Sequence, residues 1–247
     1  MTNINDTFFE GYYKEIWRSM IPDELTVKEV DFMLPYFNLK QGDKVLDLMC
    51  GYGRHAIGLA RKGMNVTAID NLEYYISEIN ETAGKESLPL KAIQHNVVSY
   101  KIDGFFDLVI CMGNSINFFN AEDTTRIFSN IAAHLKPGAH LLLNSWSVAE
   151  IAFKNFKERS WSKIGDLKFL TESKIVFHPT RMESESTIIA PGGNTEVKAG
   201  IDYIYSLNEM EAMLRSAGLL LQEIYSIPGK KKFTIDEPRA YIIAVKE

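Results

Sequence analysis

The chain has 247 residues, 46% hydrophobic and 24% charged, a composition that excludes a disordered, fibrous or repeat protein and suits one large α/β domain. With 27 basic and 32 acidic residues its net charge is −5, which argues against a nucleic-acid partner, since phosphate contacts call for a basic face. Two cysteines, Cys50 and Cys111, make no disulfide framework. The N-terminus lacks a basic-then-apolar leader, and no apolar run nears the ~20 residues of a membrane span, so a reducing cytoplasm is the expected location.

Phe8, Tyr12, Ile16 and Met20 recur every four residues, which predicts a helix over 7–20. Pro22-Asp23 breaks it, and a second helix is expected over 24–37, with Pro35 bending or shortening its end. From residue 44 the pattern changes. Strands are expected at 45–49, 66–69, 90–95, 108–112 and 140–144. Helices at 54–62, 74–83 and 122–135 stand between them, stopped by Gly63, by Gly84 and by Lys136-Pro137-Gly138. Such alternation implies right-handed βαβ units and a doubly wound, mostly parallel sheet. Residues 150–206 break it, with extended segments at 168–177, 181–189 and 196–205 and turn chemistry at Pro191-Gly192-Gly193-Asn194. They read as an antiparallel insertion above the sheet. A helix over 207–217 closed by Gly218, then strands at 219–227 and 240–245, finish the chain. Lys230-Lys231-Lys232, the one tight basic cluster, reads as a solvated loop.

The chemistry concentrates at Asp47-Leu48-Met49-Cys50-Gly51-Tyr52-Gly53-Arg54-His55-Ala56, where a strand ends, two glycines turn the chain and a helix begins. Open α/β sheets bind ligands there, outside the carboxyl ends of the strands. Gly51-x-Gly53-x-x-Ala56 with Asp70 downstream also matches a dinucleotide fingerprint, so an NAD-linked oxidoreductase is one reading and a non-catalytic binding protein another. Asp47 weighs against the dinucleotide: a carboxylate at the end of the first strand repels a pyrophosphate and suits a ligand carrying a protonated amine.

These motifs resemble class I S-adenosylmethionine-dependent methyltransferases. Asp47 through Ala56 is similar to the family's first motif, Val66-Thr-Ala-Ile-Asp70 to its second strand, Phe105 through Met112 to its fourth, and Leu135-Lys-Pro-Gly to the approach to its fifth. The terminal helix and strand pair match the family's closing elements. The resemblance implies a seven-stranded Rossmann-like sheet in a single domain. Residues 1–43 would form N-terminal helices, 44–149 the cofactor-binding core, 150–206 a substrate cap and 207–247 the closing helix and hairpin. It further implies S-adenosylmethionine as cofactor and S-adenosylhomocysteine as product, and no His/Cys/Asp spacing suggests a metal site.

Role by role, Asp47 and the Gly51–Gly53 turn would hold the methionine end, with Cys50 among the cofactor-binding residues, Asp70 the two ribose hydroxyls, and Asn71 and Leu72 the adenine flank. Asn96, where the family has Asp, would meet the adenine amino group beside Val97, and Met112 and Gly113 would complete the site. Tyr12, Tyr13 and Trp17 are candidates for cation–π contact with a sulfonium. The layout is similar to small-molecule N-methyltransferases such as those acting on amino sugars. The acceptor pocket is expected around Asn114, Asn117, Ser145 and Trp146. No catalytic base is evident in the motifs, and an amine is the acceptor that needs one least. His55 reads as structural, and Cys50 and Cys111 as small buried residues at adjacent strand ends.

Overall fold

The computed structural model describes residues 3–247. After α1 (Tyr13–Met20) and α2 (Asp23–Tyr36) come β1 (Lys44–Leu48), α3 (Arg54–Arg61), β2 (Asn65–Asp70), α4 (Glu73–Glu86), β3 (Leu90–Gln94), β4 (Phe106–Cys111), α5 (Ala121–His134) and β5 (Leu135–Ser145). The five strands pair in parallel in the order β3-β2-β1-β4-β5, so the winding reverses between β1 and β4. That reversal opens a crevice at the strand ends, where a ligand can enter.

An insertion follows: α6 (Ala149–Asn155), then β6 (Arg159–Ile164), β7 (Leu167–Phe177), β8 (Thr180–Ile189) and β9 (Thr195–Tyr203) as a separate antiparallel sheet in sequence order. A bridge between Val148 and Tyr205 joins its two ends. The chain ends with α7 (Leu207–Ser216), β10 (Leu219–Ile227), β11 (Lys231–Lys232) and β12 (Ala240–Lys246). β12 enters antiparallel between β5 and β10, giving the seven expected strands, with the two-residue β11 as an eighth at the edge.

Both faces of the main sheet are covered, which is why its strands read as nearly continuous apolar runs. Leu46, Val109, Leu141 and Ile242 face Phe128 and Ile131 of α5 and Met210 and Leu214 of α7. On the other face Val45, Ala68, Leu108 and Ile243 meet Met33, Ala56, Leu59 and Ile79. Alternate residues of one strand thus serve opposite cores, as a period of two dictates. Among the described residues no helix is long and apolar enough to cross a membrane.

Several expectations are corrected. The helix over 7–20 forms only from Tyr13, because Gly11 turns left-handed at φ 62° and the Glu196 carboxylate occupies the space a Cβ would need while accepting the Tyr12 N–H at 3.0 Å. Gly84 does not close α4; the helix runs through it and ends at Ser87, which takes the left-handed cap at φ 53°. Lys136-Pro137-Gly138 lies inside β5, which starts directly where α5 stops. Lys231 and Lys232 pair with β10 and form ion pairs with Glu237 and Glu223, so the basic cluster is not a free loop. α6 and β6 were not expected at all.

Candidate functional site

At the end of β1 the backbone turns left-handed at Met49 (φ 55°) and Gly51 (φ 55°) before α3 begins at Arg54. Asp70, at the end of β2, secures this turn. Its Oδ2 accepts the Gly51 N–H at 2.8 Å and its Oδ1 accepts the Leu72 N–H at 3.0 Å. A carboxylate offers about four acceptor positions, so capacity remains beyond these backbone bonds. Burial raises the Asp70 carboxyl above its usual range, opposed by the backbone N–H groups of Leu72, Gly51 and Asn71.

Asp47 is more extreme. It is 1% exposed, and its Oδ2 has no hydrogen-bond partner among the described residues. Burial pushes its carboxyl up to about 7, although the Arg54 charge and the Ala56 N–H pull the other way. A buried acceptor left unpaired costs about 1–3 kcal/mol. Here that atom belongs to a residue lining an open cleft, the signature of a site built for a donor the protein does not itself supply.

Next to this carboxylate, α3 is tied to its neighbours through Glu29. Arg54 Nη1 donates to Glu29 Oε2 at 2.5 Å, His55 Nε2 lies 2.8 Å from the same oxygen, and the Tyr241 hydroxyl donates to Oε1 at 2.6 Å. Burial alone would raise the Glu29 carboxyl; the hydrogen bond and charge of His55, the Arg54 charge and the Tyr241 hydroxyl outweigh it and hold it at about 2. Glu29 thereby anchors the first turn of α3 to α2 and β12. The His55 ring serves that anchor, in keeping with its structural reading.

Two chambers open at the strand ends. The first has an open volume of about 890 Å³ and is lined by Asp47, Cys50, Gly51, Asp70, Asn71, Leu72, Asn96, Val97, Met112 and Gly113, all expected there. Gly53 is not on its wall. It caps α3 at φ 77°, and a Cβ there would fall 2.6 Å from Ile79, so it serves packing and the turn. Asn96 lines the chamber, but its Oδ1 accepts the Val98 N–H at 3.0 Å, so the expected acceptor is already engaged in an Asx turn. Cys50 carries a free thiol that burial pushes well above its usual range, and Cys111 is buried at the end of β4.

The second chamber, about 690 Å³, shares Asn5, Phe9, Trp17, Gly113 and Phe118 with the first and adds Phe8, Tyr13, Asn114, Trp146, Phe169 and Asp202. Tyr13, expected on the cofactor side, lies here instead, where the left-handed Gly11 and the start of α1 carry it. Asn114 (φ 70°) is a hub: its Oδ1 accepts the N–H groups of Trp146 and Ser147, both at 3.0 Å, and the Ser145 hydroxyl at 3.1 Å. Its Nδ2 donates to Ser147 Oγ and to Asp202 Oδ1, both at 2.8 Å. Asn117 and Ser145 are wholly buried and support this hub from behind, bonded to each other at 2.8 Å, and neither lines a chamber.

Sequence reasoning missed Asp202 and the N-terminal segment. Asn5 pairs through its side-chain amide with the Ile201 backbone, donating at 2.8 Å and accepting at 2.9 Å. Asn3 donates to the Phe118 carbonyl at 2.8 Å, and Asn71 donates to Asp6 at 3.2 Å. Residues 3–17 therefore strap across both chambers. An Asn at each anchor carries no periodic signal.

Residues 45–138 match a family described as "Methyltransferase domain". Glycine/sarcosine N-methyltransferase of Halorhodospira halochloris is 26% identical over 58% of this chain and 57% of its own length, so the chain spans little more than half of that relative. Among solved structures, an S-adenosylmethionine-dependent methyltransferase from Clostridium acetobutylicum superimposes with TM-score 0.81 at 19% identity, covering 95% of this chain and 96% of that one. CalS10, an amino pentose methyltransferase from Micromonospora echinaspora, gives 0.72 at 16% identity over 96% and 98%.

Proposed function

We propose that this chain is a class I S-adenosylmethionine-dependent methyltransferase that transfers the methyl group of S-adenosylmethionine to a small-molecule acceptor, an amine; the match to a methyltransferase domain and the likeness of fold support the reading. One observation carries the reading: a chamber at the switch point holds a buried carboxylate oxygen with no partner, on Asp47, beside a second carboxylate, Asp70, with acceptor positions to spare. An ammonium group satisfies the first and a pair of ribose hydroxyls the second. A pyrophosphate would satisfy neither. When bound, the sulfonium cofactor supplies an already activated methyl group.

The remaining work falls to this chain's own residues, and it is alignment and exclusion of water. Trp17 and Phe9 border both chambers, so an acceptor in the second meets the first across an aromatic wall. Gly113 allows that approach, since a Cβ there would lie 3.3 Å from the Trp17 ring. The antiparallel sheet contributes Phe169, Thr171, Ser184 and Ser186 to the second chamber, in keeping with a substrate cap on residues 150–206. The likeness to an amino pentose methyltransferase supports an amine acceptor. Incubation with methyl-labelled S-adenosylmethionine and a panel of small amines should yield labelled product together with S-adenosylhomocysteine. An absence of transfer across amine, hydroxyl and carbon acceptors alike would count against this function.

A further inference from the structure

We infer that Asp202 is the acceptor-binding residue: its free carboxylate oxygen receives the acceptor amine as an ammonium ion in the second chamber and takes its proton before transfer. The inference rests on the methyltransferase reading and gives the acceptor its chemistry, a protonated amine on an apolar body.

Four observations support it. Among the described residues Asp202 is the one carboxylate lining the second chamber, and no Lys, Arg or His of theirs lines it. Its Oδ1 is fixed by Asn114 Nδ2 at 2.8 Å and by the Ser147 hydroxyl at 3.4 Å, while its Oδ2 has no hydrogen-bond partner among the described residues. No ion pair among those residues reaches it either. On its own strand Lys198 turns to the Thr7 carbonyl, and on the adjacent strand Arg181 is paired with Glu183. The same chamber is lined by Phe8, Tyr13, Trp17, Trp146 and Phe169, and aromatic rings attract cations. A partly buried carboxylate with neutral partners in an aromatic-lined chamber is complementary to a cation, whereas a hydroxyl substrate would leave the charge uncompensated.

The chemistry balances. An amine that arrives as an ammonium ion has no lone pair for attack, so one N–H proton passes to Asp202 Oδ2. The freed nitrogen pair forms the bond to the methyl carbon as the carbon–sulfur bonding pair returns to sulfur, leaving a thioether and an N-methylammonium product. The proton on Asp202 then leaves to water. Burial raises the Asp202 carboxyl to about 6, with Ser147 and Asn114 pulling the other way, which brings it toward the range where a base works near neutrality. The titratable group facing it is the Tyr13 phenol, held neutral by burial and by the Asp202 charge itself.

The test uses protein saturated with S-adenosylhomocysteine and three matched pairs: benzylamine, phenethylamine and tryptamine against benzyl alcohol, 2-phenylethanol and tryptophol. Calorimetric titration at pH 8 should show at least one amine binding about tenfold or more tighter than its alcohol. In Asp202→Asn, which can still accept from Asn114, that preference should fall below about threefold while S-adenosylhomocysteine binds as before. The wild-type preference should also shrink as pH falls below 6. Equal binding of every amine and its alcohol by the wild type, no binding of any of the six, or an undiminished preference in Asp202→Asn overturns the inference. Failure of S-adenosylhomocysteine itself to bind overturns the methyltransferase reading on which it stands, so the two failures are told apart.

Discussion

The two chambers meet at Trp17, Phe9 and Gly113 yet are built in opposite ways. The first is largely a product of backbone: strand ends, a left-handed turn and N–H groups locked onto Asp70, supplied mostly by residues 47–119. The second is assembled from side chains of remote segments, with Asn5 fastened to Ile201 and Asn114 to Asp202. Architecture of the first kind fixes a common ligand, and architecture of the second lets the partner vary while the scaffold stays. Among the described residues each holds a carboxylate oxygen without a hydrogen-bond partner, the buried Oδ2 of Asp47 in one and the Oδ2 of Asp202 in the other, and in both burial raises the carboxyl.

The largest effect confined to the first chamber is expected at Asp70. In Asp70→Ala the N–H groups of Gly51 and Leu72 lose their partner and the carboxylate proposed to hold the ribose is removed, so S-adenosylhomocysteine affinity should fall about 100-fold or more by calorimetry. Asn114→Ala should do the reverse. It removes five side-chain hydrogen bonds at a buried, left-handed position, and a stability loss of about 3 kcal/mol is expected in urea unfolding. Acceptor binding should weaken with it, while cofactor affinity stays within about threefold.

Asp47 sharpens the comparison through pH. A carboxyl held at about 7 in the folded chain, against about 4 when unfolded, favours the folded state below pH 4 and loses that contribution as pH rises through 7. Asp70 and Asp202 shift in the same direction. The ligand-free protein should therefore lose stability from these groups between pH 4 and pH 7, read as a falling Tm. Asp47→Asn should flatten that fall and gain about 1–3 kcal/mol at pH 8, while weakening S-adenosylhomocysteine about tenfold. The smallest effect is expected at Gly11→Ala. Left-handed strain of about 1–2 kcal/mol, with displacement of the Glu196 carboxylate, should loosen the strap and weaken acceptor and cofactor binding alike by a few-fold, read as KM values with kcat nearly unchanged.

What could be read from the sequence follows the same division. Asp47, Gly51 and Asp70 sit in local patterns, a strand followed by a turn, so their place at the first chamber was legible. Asp202 follows Ile201 in a strand of mixed burial and carries no signal until folding brings Asn114 beside it. β6 has an almost wholly exposed face pattern, Arg-Ser-Trp-Ser-Lys-Ile, with no apolar alternation to reveal it. Gly11 and Gly84 show how punctuation misleads: one broke a helix that periodicity extended, and the other sat inside a helix it was expected to end. In each case a tertiary or capping contact decided, Glu196 at Gly11 and Ser87 beyond Gly84.

The central claim, that the first chamber is an adenosyl-ligand site, is tested most directly by calorimetric titration of ligand-stripped wild-type protein with S-adenosylmethionine, S-adenosylhomocysteine and NAD. Micromolar binding of both adenosyl ligands and none of NAD is expected, with the adenosyl signals lost in Asp70→Ala. Silence from both adenosyl ligands, or tighter binding of NAD, would contradict it.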